Sequence, residues 1–224
     1  MKLLKRRPHS FDVQVQDLTL HIQAGTDFNE ESRAAALSFW EQLHAYTLRN
    51  PEVRTSKRPI AVPEDAPPIV REMVELARRA GVGPMFSFQG AVTDHVGRFL
   101  AREGSDVTVN CGGDYFIRSR RRQKLTVSRR VDGSAIALVV PASRSGLGVS
   151  MTTGRGRVRV EGLAVLAASC MLADATAAGV RAILPKEQGL AGALAYLRRV
   201  PGVIGGLVIV GDRIGLAGSV EIAA

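Results

Sequence analysis

Two glycines set between two β-forming runs constrain this chain more than any other feature. In "VNCGGDYF", Val107 and Val109 lead into Gly112 and Gly113, and Tyr115 to Ile117 lead away. Strands joined this tightly need positive φ at the turn, which glycine adopts without steric cost. The same pair, with Asp114 after it, also suits a backbone that comes close to a ligand. Both readings of the turn are open at this point.

The surrounding pattern mixes strands and helices. "FDVQVQDLTLHIQA" alternates apolar and polar residues, the period of a half-buried hairpin. Asn29 is placed to cap a helix running to about Arg49, with Ala36, Leu37, Phe39, Trp40, Leu43 and Tyr46 as its apolar stripe. A proline-rich connector over 49–68 precedes a second helix, which Pro67 and Pro68 open and Gly81 ends. Phe88, Ala91, Val92, His95, Val96, Phe99 and Leu100 mark a third helical face, with Gly104 just past its end.

Beyond the double glycine, Asp132 and Gly133 signal another hairpin. The Gly-, Ser-, Thr- and Arg-rich stretch "SRSGLGVSMTTGRGRVRVEG" reads either as a link or as a ligand-holding loop. After it the sequence predicts an alanine-rich helix over 163–179, a short strand, a helix over 190–199 and a closing hairpin. Strands and helices without strict βαβ alternation predict an α+β fold with a mixed, mostly antiparallel sheet and packed helices. The 224 residues suffice for a single domain over 1–224.

Composition narrows the function classes. A 46% hydrophobic content fits a well-buried core. No apolar run approaches the ~20 residues that span a bilayer, and the first residues lack a signal-peptide h-region, so the expectation is a cytoplasmic protein. Cys111 and Cys170 have no CxxC partner and read as buried apolar residues. The net charge of +9 includes a basic run over 118–130. That run is poor in aromatic residues for base stacking, so nucleic acid is an unfavoured partner and a solvated strand face is the simpler reading.

Among candidate chemical groups, His95 lies on an apolar helix face, where a satisfied core histidine is the plainer account. No HExxH, GxSxG or phosphate-loop pattern occurs. Asp174, in "CMLADATAAG", is a carboxylate inside a small-residue helix. Such a group must face water, find a partner or coordinate a hard cation such as Mg²⁺.

Three separated stretches resemble the ApbE-like superfamily, the fold of the FAD:protein FMN transferases. "GPMFSFQGAVTDHVGRFLAREGSDVTVNCGGDYF" is similar to its central motif, with Gly90, Asp94, Asn110, Gly112, Gly113 and Asp114 matching residue by residue. "GVSMTTG" resembles its small-residue loop, at Thr152, Thr153 and Gly154, with Ser150 just before. "LADATAAG" resembles its metal-binding helix, at Asp174. The likeness extends over about 10–210 and is nearest to a short, cytosolic branch of that superfamily.

This resemblance implies a flavin (FAD or FMN), a nucleotide or another phosphorylated aromatic small molecule as ligand, with Mg²⁺ as the metal. Cofactor contacts would come from the central motif, from Ser150, Thr152 and Gly154, and from Arg155 and Arg157, with Arg159 near them. In a divergent Mg²⁺-dependent transferase, Asp174 would hold the cation and Thr153 would orient the substrate. The chain departs from the pattern where Gln89 replaces a lysine, where Ala178 replaces a hydroxyl residue, and where the histidine after the loop has no counterpart. The alternative is a non-catalytic binding or assembly protein that keeps the fold. Edge strands in such folds invite pairing, which points to a homodimer.

Overall fold

The computed structural model describes residues 8–62, 64–103, 106–129, 135–154 and 158–223. Strands β1 (His9–Val15) and β2 (Leu18–Ala24) form the first hairpin in simple alternation, with Val13, Val15, Leu18, Leu20 and Ile22 inward. Helix α1 spans Asn29–Arg49. Asn29 does not cap it: Phe28 is the N-cap residue, and the Asn29 N–H instead donates to the Asp27 carboxylate at 3.2 Å. Ala36, Leu43 and Tyr46 of the expected stripe are buried, whereas Leu37 is exposed.

The connector contains a short helix, α2 (Pro51–Thr55), so it is less irregular than its prolines suggest; Pro51 stands in the first turn, where no N–H is needed. Helix α3 (Pro68–Ala80) ends at Gly81, whose φ of 73° lets its N–H reach back to the carbonyls of Ala77 and Arg78. A 3-10 turn (Pro84–Ser87) leads into α4 (Phe88–Ala101). The Gly104 expected beyond α4 and the turn expected at Asp132 and Gly133 lie outside the described residues.

Strands β3 (Val107–Cys111) and β4 (Asp114–Ser119) flank the double-glycine turn. Then β5 (Gln123–Arg129) and β6 (Ala135–Val140) leave the main sheet as a second antiparallel pair. The stretch expected to be a loop is strand for most of its length, in β7 (Ser143–Gly154) and β8 (Val160–Ala167). The predicted helix over 163–179 is therefore half wrong: its first residues belong to β8, and α5 occupies Cys170–Ile183. No strand lies between α5 and α6 (Gly189–Arg199) among the described residues. A turn joins the two helices, and β9 (Val203–Val210), β10 (Arg213–Gly218) and β11 (Glu221–Ala223) close the chain.

The eight-stranded sheet runs β1-β2-β3-β4-β7-β8-β9-β10, and β11-β6-β5 form a smaller sheet. Every described strand pair is antiparallel. Helices α1, α4, α5 and α6 pack on one face of the large sheet, with α3 over α5. Against the other face, Val127, Leu138 and Val140 of the small sheet meet Ile117, Val149, Leu166, Leu207 and Ile209. A strand covered on both faces has no polar side to display, so β8 reads as an unbroken apolar run. Periodicity cannot separate such a run from a buried helix, which explains the misplaced helix start.

Candidate functional site

The site forms where α4, α5, β7 and the double-glycine turn meet. Gly112 and Gly113 have φ of 59° and 101°, the left-handed values that a two-residue hairpin needs. A Cβ on Gly113 would stand 2.4 Å from the Met151 carbonyl oxygen, so the turn also has to approach β7 with bare backbone. The Met151 N–H donates to the Gly113 carbonyl at 2.8 Å. Asn110 accepts the Gly113 N–H at 3.1 Å and shapes the turn from the far side of the sheet. There it lines a separate cleft of about 340 Å³ with His21, Gln23, Thr108, Tyr115 and Lys124.

Asp114 opens β4 on the helix-facing side, directly opposite Ser150 of β7. Its carboxyl is buried, accepts a hydrogen bond from Ser150, and pairs with the carboxyl of Asp174 on α5. Burial pushes Asp114 up to about 7, against the pull of those two hydrogen bonds. Asp174 is raised as well, by burial and then by the nearby Asp114. Two carboxyls in one apolar corner cannot both ionise cheaply, so they hold a proton between them and titrate as a pair.

Asp174 and Asp94 also join the two helices in a reciprocal manner. The Gly90 N–H, in the first turn of α4, donates to Asp174 at 3.0 Å. The Met171 N–H, in the first turn of α5, donates to Asp94 at 3.5 Å, and Cys170 N–H also donates to Asp94. Each helix thus supplies an acceptor for N–H groups that the other cannot satisfy internally. The crossing is close because residue 90 is glycine: a Cβ there would lie 2.9 Å from both the Asp174 Cβ and the Cys170 carbonyl oxygen. Asp94 is fully enclosed, and burial raises it to about 6 against the nearby Arg98.

From Cys170 to Arg181, only Asp174, Ala178 and Arg181 keep partial exposure; every other position is buried. Spacings of four and seven place these three on one helix face. That face runs along β7, where the Arg181 guanidinium donates to the Thr152 hydroxyl at 3.3 Å. Thr176 points into the core, where its hydroxyl has no partner among the described residues. Gln89 lies across the turn, with its carboxamide 3.4 Å from where a Gly112 side chain would begin.

The structure therefore brings Gly90, Gly112, Gly113, Asp114, Ser150, Thr152 and Asp174 together. Asp94 sits behind them, Asn110 is on the other face of the sheet, and Thr153 and Gly154 are exposed beyond the seam. Arg155 and Arg157 lie outside the described residues, and Arg159 pairs with Glu161 at 3.1 Å. Arg181 was missed in the sequence; its i,i+7 spacing from Asp174 was the available signal. Among the described residues, no three His, Cys, Asp or Glu side chains gather as a metal cluster. The oxygen donors that do converge, two carboxyls and the Ser150 hydroxyl, are of the hard type that Mg²⁺ takes.

Outside this corner, His95 is satisfied by Glu72 at 3.1 Å, and Arg98 reaches the same carboxylate at 2.8 Å. Burial works against the charge of Glu72, yet the bonds from His95 and Arg98 bring it down to about 2. Both cysteines are buried and free; burial raises Cys111 to about 12 and pushes Cys170 up as well, so neither is a reactive thiolate. In the basic run, Arg120 pairs with Asp106 and Arg122 with Glu221. No described helix is long and apolar enough to cross a membrane.

A family model described as AbpE bacteria matches residues 1–187. The chain is 31% identical over 195 residues to the UPF0280 protein of Methanothermobacter thermautotrophicus, covering 80% of this chain and 74% of that protein. With the UPF0280 protein of Methanocaldococcus jannaschii it shares 28% identity over 193 residues, 80% of this chain and 78% of the relative. The fold is similar to that of the Pseudomonas stutzeri flavinyl transferase ApbE in its apo form, with a TM-score of 0.62, 16% identity, and 99% and 96% of the two chains covered. A mutant form of the flavin transferase ApbE from Vibrio cholerae gives a TM-score of 0.61 at 15% identity, covering 95% of this chain and 97% of that one.

Proposed function

The chain belongs to the AbpE bacteria family, and from that footing we propose that it binds a flavin, a nucleotide or a related phosphorylated aromatic metabolite at the Asp114–Asp174 corner. The observation that carries this reading is the carboxyl pair itself. Two carboxyls buried side by side beside a glycine turn are costly for a purely structural element, because at least one must give up its charge. A divalent cation held by Asp114 and Asp174, with the Ser150 hydroxyl beside it, would relieve that cost. The donor set fits Mg²⁺ by its chemistry, and bound there the ion would neutralise negative charge on a phosphate group.

The chain's own residues then have distinct tasks. Gly112 and Gly113 leave backbone bare at the turn, Gln89 offers a carboxamide across from it, and Thr152 and Thr153 continue the β7 wall toward solvent. In a divergent transferase, Asp174 would hold the ion and Thr153 would orient the substrate. Among the described residues β1 and β10 are the outer strands of the large sheet, and such edges support a homodimer.

A second reading, a non-catalytic binding or assembly protein, draws on specific observations. Asp174 is already engaged by Gly90 and Asp114, position 178 carries only a methyl group, and residue 89 is an amide rather than an amine. The deciding experiment titrates FAD into the protein with and without Mg²⁺, following flavin fluorescence, and then assays FMN and AMP release. Mg²⁺-dependent binding with turnover supports the transferase; binding without turnover supports the second reading. No binding of FAD, FMN or ADP under either condition sinks the flavin and nucleotide reading.

A further inference from the structure

The outward face of α5 carries a cation as well as a carboxyl, and the carboxyl account gives that cation no role. Arg78, Arg79, Arg98, Arg120, Arg122 and Arg159 all pair with a carboxylate. Arg33, Arg49, Arg198 and Arg181 instead reach neutral oxygens, and of these four only Arg181 is not exposed; its partner among the described residues is the Thr152 hydroxyl, reached at 3.3 Å through one guanidinium nitrogen. Arg181 is half-buried, on the one face of α5 that keeps partial exposure between Cys170 and Arg181. A guanidinium has five N–H donors in a planar fork, so one bond to a hydroxyl leaves most of its capacity unused. The C-terminal end of α5 and one hydroxyl meet only part of the need of a half-buried cation, and an anion would meet the rest.

The placement is specific. Seven residues separate Asp174 from Arg181, which is about 10 Å along the helix axis and nearly a full two turns, so both groups face β7. Thr152 follows Ser150 by two residues and therefore shares its side of the strand. The seam between α5 and β7 thus has a carboxyl pair at one end and a guanidinium with spare donors at the other, with only the Ala178 methyl between them on the helix.

We propose that Arg181 is the anion-binding residue of this seam, receiving a phosphate or pyrophosphate group of the ligand through the free side of its guanidinium. This deepens the ligand reading above and rests on it for the identity of the aromatic part.

The test compares FMN with riboflavin, which lacks the phosphate, and adds inorganic pyrophosphate as a probe without rings. Affinities are measured by flavin fluorescence and by calorimetry for the wild type, Arg181→Gln and Arg181→Lys, with Mg²⁺ held constant. Wild type is expected to prefer FMN to riboflavin. Arg181→Gln should weaken FMN and pyrophosphate at least ten-fold while leaving riboflavin unchanged, and Arg181→Lys should recover part of the loss. A merely structural arginine would give the opposite pattern, in which Arg181→Gln leaves pyrophosphate affinity intact or weakens riboflavin as much as FMN; either result overturns the inference. Pyrophosphate binding that depends on Arg181, with no flavin binding at all, would keep this inference and sink the flavin reading. Flavin binding indifferent to Arg181 would do the reverse, and wild-type protein that binds none of the probes overturns the inference. If Arg181→Gln fails to fold, Arg181→Lys is compared with the wild type directly: a smaller loss for FMN and pyrophosphate with riboflavin unchanged is expected, and no loss overturns the inference.

Discussion

Asp94 and Asp174 perform the same local task on opposite helices and differ in everything else. Asp94, on α4, accepts N–H groups at the start of α5; Asp174, on α5, accepts the Gly90 N–H at the start of α4. Asp94 is enclosed, with Arg98 near enough to favour its charged form. Asp174 keeps partial exposure and meets a second carboxyl, Asp114, beside a bare glycine turn. The comparison teaches that a buried aspartate in a small-residue helix is not in itself a site. What distinguishes a candidate site is the capacity left over once the backbone has been satisfied.

The largest effect should come from a change that breaks both halves of the comparison together. Gly90→Ala places a Cβ 2.9 Å from the Asp174 Cβ and the Cys170 carbonyl, both on α5. Alanine would gain about 1 kcal/mol in helix propensity, but forcing the helices apart costs more and weakens both inter-helix contacts. A net loss of about 2–3 kcal/mol is expected by urea denaturation. Unchanged stability would mean that the close crossing is not needed.

Next in size is Asp94→Ala, which leaves the first N–H groups of α5 without their acceptor and should cost about 2 kcal/mol. Asp94→Asn keeps a carbonyl oxygen and should restore most of it. The pH dependence separates the two roles of the carboxyl. Its folded value of about 6 lies above the unfolded carboxylate range, so the folded state holds the proton more tightly. That contribution to stability is complete below about pH 4 and is lost as pH rises through about 6. Asp94→Asn should flatten this decline between pH 4 and 6, and an unaltered pH profile in that variant would contradict the assignment.

The smallest stability effect, and the one that sharpens the contrast, is expected at Asp174. Asp174→Asn keeps an acceptor for Gly90 and relieves Asp114 of its like-charged neighbour, so unfolding at pH 7 should change by less than about 1 kcal/mol. Mg²⁺ at ten times its dissociation constant should stabilise the wild type by about 1.4 kcal/mol through linkage. Thermal melts with and without Mg²⁺ should show this gain in the wild type and in Asp94→Asn, but not in Asp174→Asn. An equal gain in all three would place the ion elsewhere.

Much of the framework was legible because local chemistry dictated it. Alternation gave the β1–β2 hairpin, Pro68 and Gly81 bounded α3, and the positive φ values required at the turn left glycine as the natural choice for residues 112 and 113. The stretch over 143–167 was less legible. Its glycines looked like loop, yet Gly148 is there because the start of α5 lies on it: a Cβ would be 2.0 Å from the Ser169 carbonyl carbon. The apolar run of β8 looked helical because layers on both sides cover it.

The site divides in the same way. Asp114 and Asp174 stand out in the sequence as carboxylates in apolar or glycine-rich surroundings, and the family pattern joins them. Ser150 could be noted but not oriented, and Arg181 resembles any arginine near a helix C-terminus, where a cation is ordinarily favoured by the dipole. The sequence by itself determined the turn, the extents of α1, α3, α4 and α6 and the residues capable of binding chemistry, since these follow from φ preferences and periodicity within a few residues. Only the tertiary structure decided that Asp94 would be used up in holding α5 while Asp174 meets Asp114 and Arg181 meets Thr152. Those outcomes depend on how α4 and α5 cross over β7, a relation among segments some 80 residues apart that no local pattern encodes.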